Sequence, residues 1–384
     1  MSPEERRRGL VAAIACISVA GIAIGLYYPL LSLILESRGT SRTVIGLNSA
    51  MPALAMLMFS PLIPRLATAI GLKPFIFACL ATEASLVLLL KVFDDLLLWF
   101  PIRFAMGISA VGLFVAAETW INQLALDHSR GRLMALYNMT LSAGFVLGPL
   151  IILVTGIEGW APFVIGAAII ALAVLPLVWA GGAAPTLAGR SSFGVLAFVR
   201  IAPSLATAVL VISLIEGAAG ALLPVYGVRS GFTTDGAALM LSTLLLGSIA
   251  LQFPIGWLAD KVDRYRTMML CGVGGAGGAI LLPFVIDSGP LLWPVLFFWG
   301  GLVAGIYTVA MTIVGQRFRG AELITANAAF GVLWGLGGLA GPTLAGAAMD
   351  LWDPHGLMAV LAATCLLFVA LTAARQWRRR GRET

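Results

Sequence analysis

The sequence predicts an all-α membrane protein: twelve transmembrane helices arranged as two pseudo-symmetric six-helix bundles. Three observations predict it. The 384 residues are 60% hydrophobic and only 11% charged, with a mean hydropathy of +0.99, against about 45–50% apolar and about 25% charged in a soluble domain. The apolar residues fall in runs long enough to cross a bilayer, which takes about 20 residues. The chain also repeats itself at a constant offset of about half its length. A soluble globule cannot hide so much apolar surface, because burial is limited by size, so lipid must take the place of water. A soluble enzyme, a nucleic-acid module and a disordered chain are excluded on composition.

The elements follow in order from apolar runs bounded by charge or turn residues. They are 9–35, 43–69, 74–92, 97–124, 133–156, 160–180, 201–226, 236–258, 267–286, 291–315, 323–349 and 356–375. The first follows a charged start, MSPEERRRGL, with no small-residue cleavage site behind it. It reads as a retained helix and not as a signal peptide. Between spans six and seven, residues 181–200 form a linker whose Phe193, Leu196 and Phe198 suit a short helix at the membrane interface. The expected organisation is residues 1–180 as the N-terminal bundle, 181–200 as the linker and 201–384 as the C-terminal bundle.

Twelve spans place both termini on one side, and the positive-inside rule selects which. With the termini inside, all but five of the 24 basic residues fall in inside segments, and every inside loop shares the bias. The expectation is a bacterial inner-membrane protein with both ends cytoplasmic. Arginine outnumbers lysine 21 to 3, which suits a GC-rich bacterial genome.

The repeat is read from punctuating residues. Pro101, Gly107 and Gly112 recur as Pro294, Gly300 and Gly305, each 193 positions on. Gly144-x-x-x-Gly148-Pro149 recurs as Gly337-x-x-x-Gly341-Pro342, and Pro61 as Pro254, at the same offset. Two six-helix halves with a site at their midplane is a plan used by secondary transporters. Small residues four apart let helix backbones touch, so these motifs read as close helix contacts in a protein whose spans slide or hinge.

Other chemistry is sparse. Cys16, Cys79, Cys271 and Cys365 each sit in an apolar run and are expected as buried free thiols. His128 and His355 lie in loops, and no cluster has metal-ligand spacing, so no metal or cofactor is expected.

Three motifs resemble those of the major facilitator superfamily. Gly256-Trp-Leu-Ala-Asp260-Lys-Val-Asp263-Arg264-Tyr-Arg266 is similar to its cytoplasmic loop signature. Arg103-Phe-Ala-Met-Gly107 resembles its buried-arginine motif, and Gly144-x-x-x-Gly148-Pro149 its antiporter-associated motif. With the twelve spans, the resemblance covers essentially the whole chain. It departs between spans two and three, where the loop signature lacks its aspartate, and after Pro149, where trailing glycines are missing. Within the superfamily, Pro224-Val-Tyr226-Gly227 and Asn327-Ala-Ala-Phe-Gly331-Val-Leu-Trp334-Gly335 resemble the YcaD-like bacterial permeases.

An ionisable group inside a span costs roughly 2.5–3.5 kcal/mol on insertion scales and so needs a reason. Four stand out, none with a charged counterpart in the other half: Glu83, Arg103, Glu118 and Glu216. Glu216 is near the middle of span seven, which the resemblance implies is cavity-lining. A carboxyl there suits a proton carrier, or a packing residue bonded to Ser213. For Arg103 the resemblance implies proton transfer or the binding of an anionic group. Glu83 lies at a similar depth and is its expected partner, as a structural tie or a functional one. Glu118 is expected in a cytoplasmic gate with Arg130, Arg132 or Arg264, which the loop residues Gly256 and Asp260 would complete; direct substrate contact is the alternative. Asp260 would cap a helix or pair with Arg264.

Tyr27, Tyr28, Tyr226, Trp299 and Tyr307 lie on spans one, seven and ten, which the resemblance implies line the cavity. Rings with one polar tip suit amphipathic organic solutes; the rival reading for the three near span ends is an interfacial belt. Trp99, Trp293, Trp352 and Trp377 are expected in such belts.

The resulting expectation is a secondary transporter working by alternating access, proton-coupled, exporting a small organic or amphipathic solute, and acting as a monomer with no nucleic-acid partner. A lipid or lysolipid flippase and an uncoupled uniporter are the alternatives. A membrane enzyme would need a nucleophile–base pair or metal ligands at one depth, and the sequence offers neither.

Overall fold

The fold follows from one requirement: backbone polar groups in hydrocarbon must bond within their own segment. The structure, a computed structural model, describes residues 3–124, 130–181, 195–318 and 321–383. Sixteen helices occur among the described residues: α1 (Pro3–Ser37), α2 (Arg42–Phe59), α3 (Ile63–Ile70), α4 (Leu72–Val92), α5 (Leu96–Leu124), α6 (Arg130–Thr155), α7 (Ala161–Leu172), α8 (Val174–Trp179), α9 (Val195–Ile201), α10 (Pro203–Arg229), α11 (Thr234–Ala250), α12 (Gln252–Lys261), α13 (Arg264–Val285), α14 (Leu292–Arg317), α15 (Ala321–Leu351) and α16 (Gly356–Glu383). They make twelve segments long and apolar enough to cross a membrane. The architecture is the twelve-helix, two-bundle fold that the sequence predicts.

Three of the expected spans are interrupted. The second breaks after Phe59, where Pro61 and Pro64 follow, and the eighth breaks at Leu251 just before Pro254. These are repeat-related positions, so the same proline chemistry interrupts the same place in both halves. The sixth breaks at Ala173, three residues before Pro176. Elsewhere the ends are fixed by local chemistry. Thr233 Oγ1 accepts from Gly236 N and starts α11; Asp263 Oδ1 accepts from Arg266 N at 2.8 Å and starts α13. After α10 the chain turns through Gly231 at φ +91°, a conformation that suits a residue without Cβ.

The chain divides into two compact units. The first comprises Met1–Ile34 and Met51–Gly189; the second comprises Leu35–Ala50 and Arg190–Thr384. The linker helix α9 belongs to the second unit and is held there by Phe198, which packs edge-on to Phe330 at 5.5 Å and against Phe318 at 5.7 Å.

In each unit the Gly-x-x-x-Gly-Pro motif makes a close helix pair. In the first, a Cβ on Gly148 would lie 2.2 Å from the Gly25 carbonyl carbon, and one on Gly144 2.7 Å from Ile22 N. In the second, a Cβ on Gly341 would lie 2.1 Å from Leu214 O, and one on Gly337 2.6 Å from Leu210 O. The Gly-x-x-x-Gly-Pro motifs therefore bring α6 onto α1 and α15 onto α10, backbone against backbone. Lipid gives no hydrophobic drive for that approach, so the missing side chains permit it.

This seam makes a prediction. Gly341→Ala should lower thermal stability by about 1–3 kcal/mol, the cost of overpacking. Gly277→Ala, where nothing lies within 4 Å, should be neutral or slightly stabilising, since alanine is the better helix former. Equal melting temperatures for the two variants in purified protein would contradict the seam.

Candidate functional site

In the second unit, the long helix α10 carries Glu216 near its middle. The side chain is exposed although it sits in a transmembrane segment. Among the described residues it makes no hydrogen bond and no ion pair, and Ser213 bonds elsewhere, donating to Trp334 O. Glu216 borders a recess lined by Ile215, Leu244, Ser248, Trp299 and Val303, with a volume of about 20 Å3. That admits a water and not an organic solute. Trp299 forms one wall and is fixed there: its Nε1 donates to Gly275 O at 2.9 Å, and its ring fills the space that a Cβ on Gly278 would need. Tyr307 packs edge-on to Trp334, ring centroids 5.4 Å apart.

Arg103 in the first unit is almost wholly buried, at 1% exposed. Its guanidinium lies 4.8 Å from the centre of the Tyr28 ring, and Nη1 reaches Tyr27 O at 3.5 Å. Among the described residues Nε and Nη2 have no hydrogen-bond partner, and neither does the buried Tyr27 hydroxyl. The expected tie to Glu83 is not formed: no ion pair joins the two among the described residues. Glu83 instead accepts from Ser109 Oγ, one helix over on α5. A buried guanidinium with two unsatisfied nitrogens is costly to keep and is able to grip an anionic group.

The aromatic residues divide. Tyr27 and Tyr226 are buried, not in belts; the Tyr226 hydroxyl lies 3.5 Å from His355 Nδ1. Trp99, expected at the interface, is also buried. Its Nε1 donates to Phe93 O at 2.9 Å and Leu90 O at 3.1 Å, tying off carbonyls at the end of α4. Trp352 and Trp377 are exposed, as belt residues would be.

For the expected gate, Asp260 at the end of α12 pairs with Arg264 at the start of α13 at 3.5 Å. It is Asp263, not Asp260, that caps a helix. A Cβ on Gly256 would meet only Thr308, at 4.0 Å. Glu118 is exposed on α5. The side chains of Arg130 and Arg132, and all of His128, lie outside the described residues.

Sequence reasoning missed two groupings. Ser109 as the partner of Glu83 has no signal in an apolar helix beyond being polar. A charged network of Glu36, Arg42, Arg229, Asp350 and Asp353 was signalled only by charges standing at span ends.

Comparison with known proteins places this architecture. The family model of the Major Facilitator Superfamily matches residues 13–245 and 205–384. The chain is 24% identical to the uncharacterized MFS-type transporter YfkF of Bacillus subtilis over 378 residues, covering 94% of this chain and 92% of that protein. It is 24% identical over 279 residues to an uncharacterized MFS-type transporter, YcaD, of Salmonella arizonae, covering 71% of each. Its fold is similar to a bacterial homologue of the human lysosomal transporter Spinster, with a TM-score of 0.76 at 16% identity, covering 97% and 96% of the chains. It is also similar to the nucleoside transporter NupG, with a TM-score of 0.73 at 13% identity, covering 96% of each. The chain belongs to the major facilitator superfamily. It is a multi-pass membrane transporter and not an enzyme, one of a family whose members sit in the bilayer and bind small-molecule substrates.

The Glu83–Ser109 contact makes a second prediction. Ser109→Ala should leave a buried carboxyl without its donor and cost about 1–3 kcal/mol of stability. Glu83→Gln keeps an acceptor oxygen and should cost less. Thermal unfolding of the two variants checks the order; a Ser109→Ala protein as stable as the parent would contradict the contact.

Proposed function

We propose that the protein is a proton-coupled secondary transporter of a small organic or amphipathic solute, with Glu216 as the group that takes up and releases the proton. The observation that carries this reading is an exposed carboxyl in the middle of a transmembrane helix, without a partner among the described residues. A structural carboxyl at that depth would be paired, because leaving it bare in a span is costly. One that must exchange a proton in each cycle has to be reachable and free of a permanent partner. The neighbouring recess has room for a water beside it, and Trp299 keeps that wall rigid.

Arg103 is the complementary charge. Its two nitrogens without a partner among the described residues support a grip on an anionic group of the solute, with the Tyr28 face steadying the cation. Export is the direction supported by the antiporter-like Gly144-x-x-x-Gly148-Pro149. The arginine-rich inside segments support both termini lying in the cytoplasm, with the protein in a bacterial inner membrane. The two halves in one chain supply both sides of an alternating-access cycle, so the monomer is the functional unit.

Glu216→Gln tests the reading in vesicles. The variant should lose flux driven by a pH gradient and keep solute-for-solute exchange, since exchange needs no net proton movement. A variant that keeps pH-driven flux removes Glu216 from coupling. A parent protein whose flux ignores the pH gradient makes it a uniporter.

A further inference from the structure

Three arginines of the second unit gather where α9 turns into α10, and the transport reading uses none of them. Arg317, the last residue of α14, donates through Nη2 to Ile201 O at 3.3 Å. Arg375, on α16, donates through Nη1 to Thr207 Oγ1 at 3.1 Å. Thr207 Oγ1 donates in turn to Pro203 O at 2.7 Å. The two guanidiniums are therefore held at points two residues apart, at most about 7 Å of chain. Arg200 stands one residue before Ile201, in the last turn of α9. Ile201 O and Thr207 Oγ1 are neutral acceptors. Among the described residues no carboxylate pairs with any of the three arginines, and Arg200 makes no hydrogen bond. The start of α10 adds to the same sign, since Ala202 supplies no side-chain cap to the positive end of that helix.

The turn stands at the ends of transmembrane segments. One begins at Pro203 on α10, and those on α14 and α16 end at Val314 and Arg378. All three arginines fall within a few residues of these ends, where lipid headgroups replace hydrocarbon. Their setting is fixed: Phe198 of α9 packs on Phe318, the neighbour of Arg317, and on Phe330. On α16, Leu367, Leu371 and Arg375 recur every four residues and so share one face. Both leucines are exposed, as is Ile201. An apolar stripe thus runs along the span up to the guanidiniums.

We propose that this turn is a binding site for an anionic phospholipid: Arg200, Arg317 and Arg375 take its phosphate, and an acyl chain lies along Leu371 and Leu367. Guanidiniums bind phosphate oxygens through paired N–H donors. Arg317 and Arg375 each spend one such donor on the protein and keep the others. Basic pockets between spans at headgroup depth favour anionic headgroups. A zwitterionic lipid brings its own cation to three that are already there and gains less. A free phosphate has the charge but no chain for the stripe. A lipid seated here bridges α9, α14 and α16, so it also pins the linker helix to the spans beside it. The site lies wholly within the second unit. It rests neither on proton coupling nor on the identity of the solute.

The test is lipid titration of the full chain in a neutral detergent, with bound lipid read by native mass spectrometry and folding by the melting temperature. The probes are phosphatidylglycerol, phosphatidylcholine with the same acyl chains, and inorganic phosphate. Phosphatidylglycerol should bind saturably and raise the melting temperature; the other two should do neither at the same concentration. Arg317→Gln with Arg375→Gln should weaken phosphatidylglycerol binding about thirtyfold, roughly fivefold for each charge removed. Arg200→Gln breaks no bond within the protein, so it separates loss of lipid from loss of fold; it should weaken binding about fivefold. Arg266→Gln, at an exposed arginine near the start of α13, should leave binding unchanged. Equal binding of the two lipids overturns the proposal, as does full affinity in Arg200→Gln or an equal loss in Arg266→Gln. Inorganic phosphate that stabilises as well as phosphatidylglycerol would show a free-anion site and overturn the lipid.

Discussion

In hydrocarbon a backbone amide has no water to bond, and the rest of this structure depends on that constraint. It forces every crossing segment into helix. It also removes the hydrophobic drive that joins helices in water, because lipid tails are as apolar as leucine. What brings helices together here is the absence of side chains at chosen points. Gly144 and Gly148 let α6 touch α1; Gly337 and Gly341 let α15 touch α10. The prolines that follow, Pro149 and Pro342, end each motif at matched places in the repeat. Each unit contains such a seam, and in the second unit the candidate site stands beside it. Glu216 lies one turn beyond Ser213, which bonds across the α10–α15 seam to Trp334.

Function enters where the two halves stop resembling each other. The repeat supplies matched glycines and prolines, but no charge matches Glu216 or Arg103. The two residues are held in opposite ways. Arg103 is buried with nitrogens unsatisfied, a state suited to receiving an anion. Glu216 is accessible and has no partner among the described residues, a state suited to exchanging a proton. Glu83, which shares the inventory of buried charges, accepts instead from Ser109.

The sequence carried the fold because span length and proline position are properties of a single segment. The paired breaks near Pro61 and Pro254 show this: both proline positions belong to the repeat, though the expected spans ran through them unbroken. Partners were much less legible. In a span apolar on all sides, periodicity does not show which face meets which helix, so the sequence offers Arg103 to Glu83 where the structure gives it Ser109. Trp99 reads as a belt residue because its place at a span end fits one; that it ties off carbonyls of the preceding helix depends on the turn between them. Arg42 and Asp350 are 308 positions apart, and nothing in either neighbourhood points to the other.

The central claim is that solute binding is linked to a proton at Glu216. The most direct measurement is a thermal-stability screen of purified protein against drugs, sugars, amino acids and lipids at about pH 5.5 and about pH 7.5, repeated on Glu216→Gln. A ligand that binds only the folded protein raises the melting temperature by mass action. The account predicts a ligand whose stabilisation differs between the two pH values in the native protein and does not differ in the variant. A ligand that stabilises both proteins equally at both pH values would contradict it.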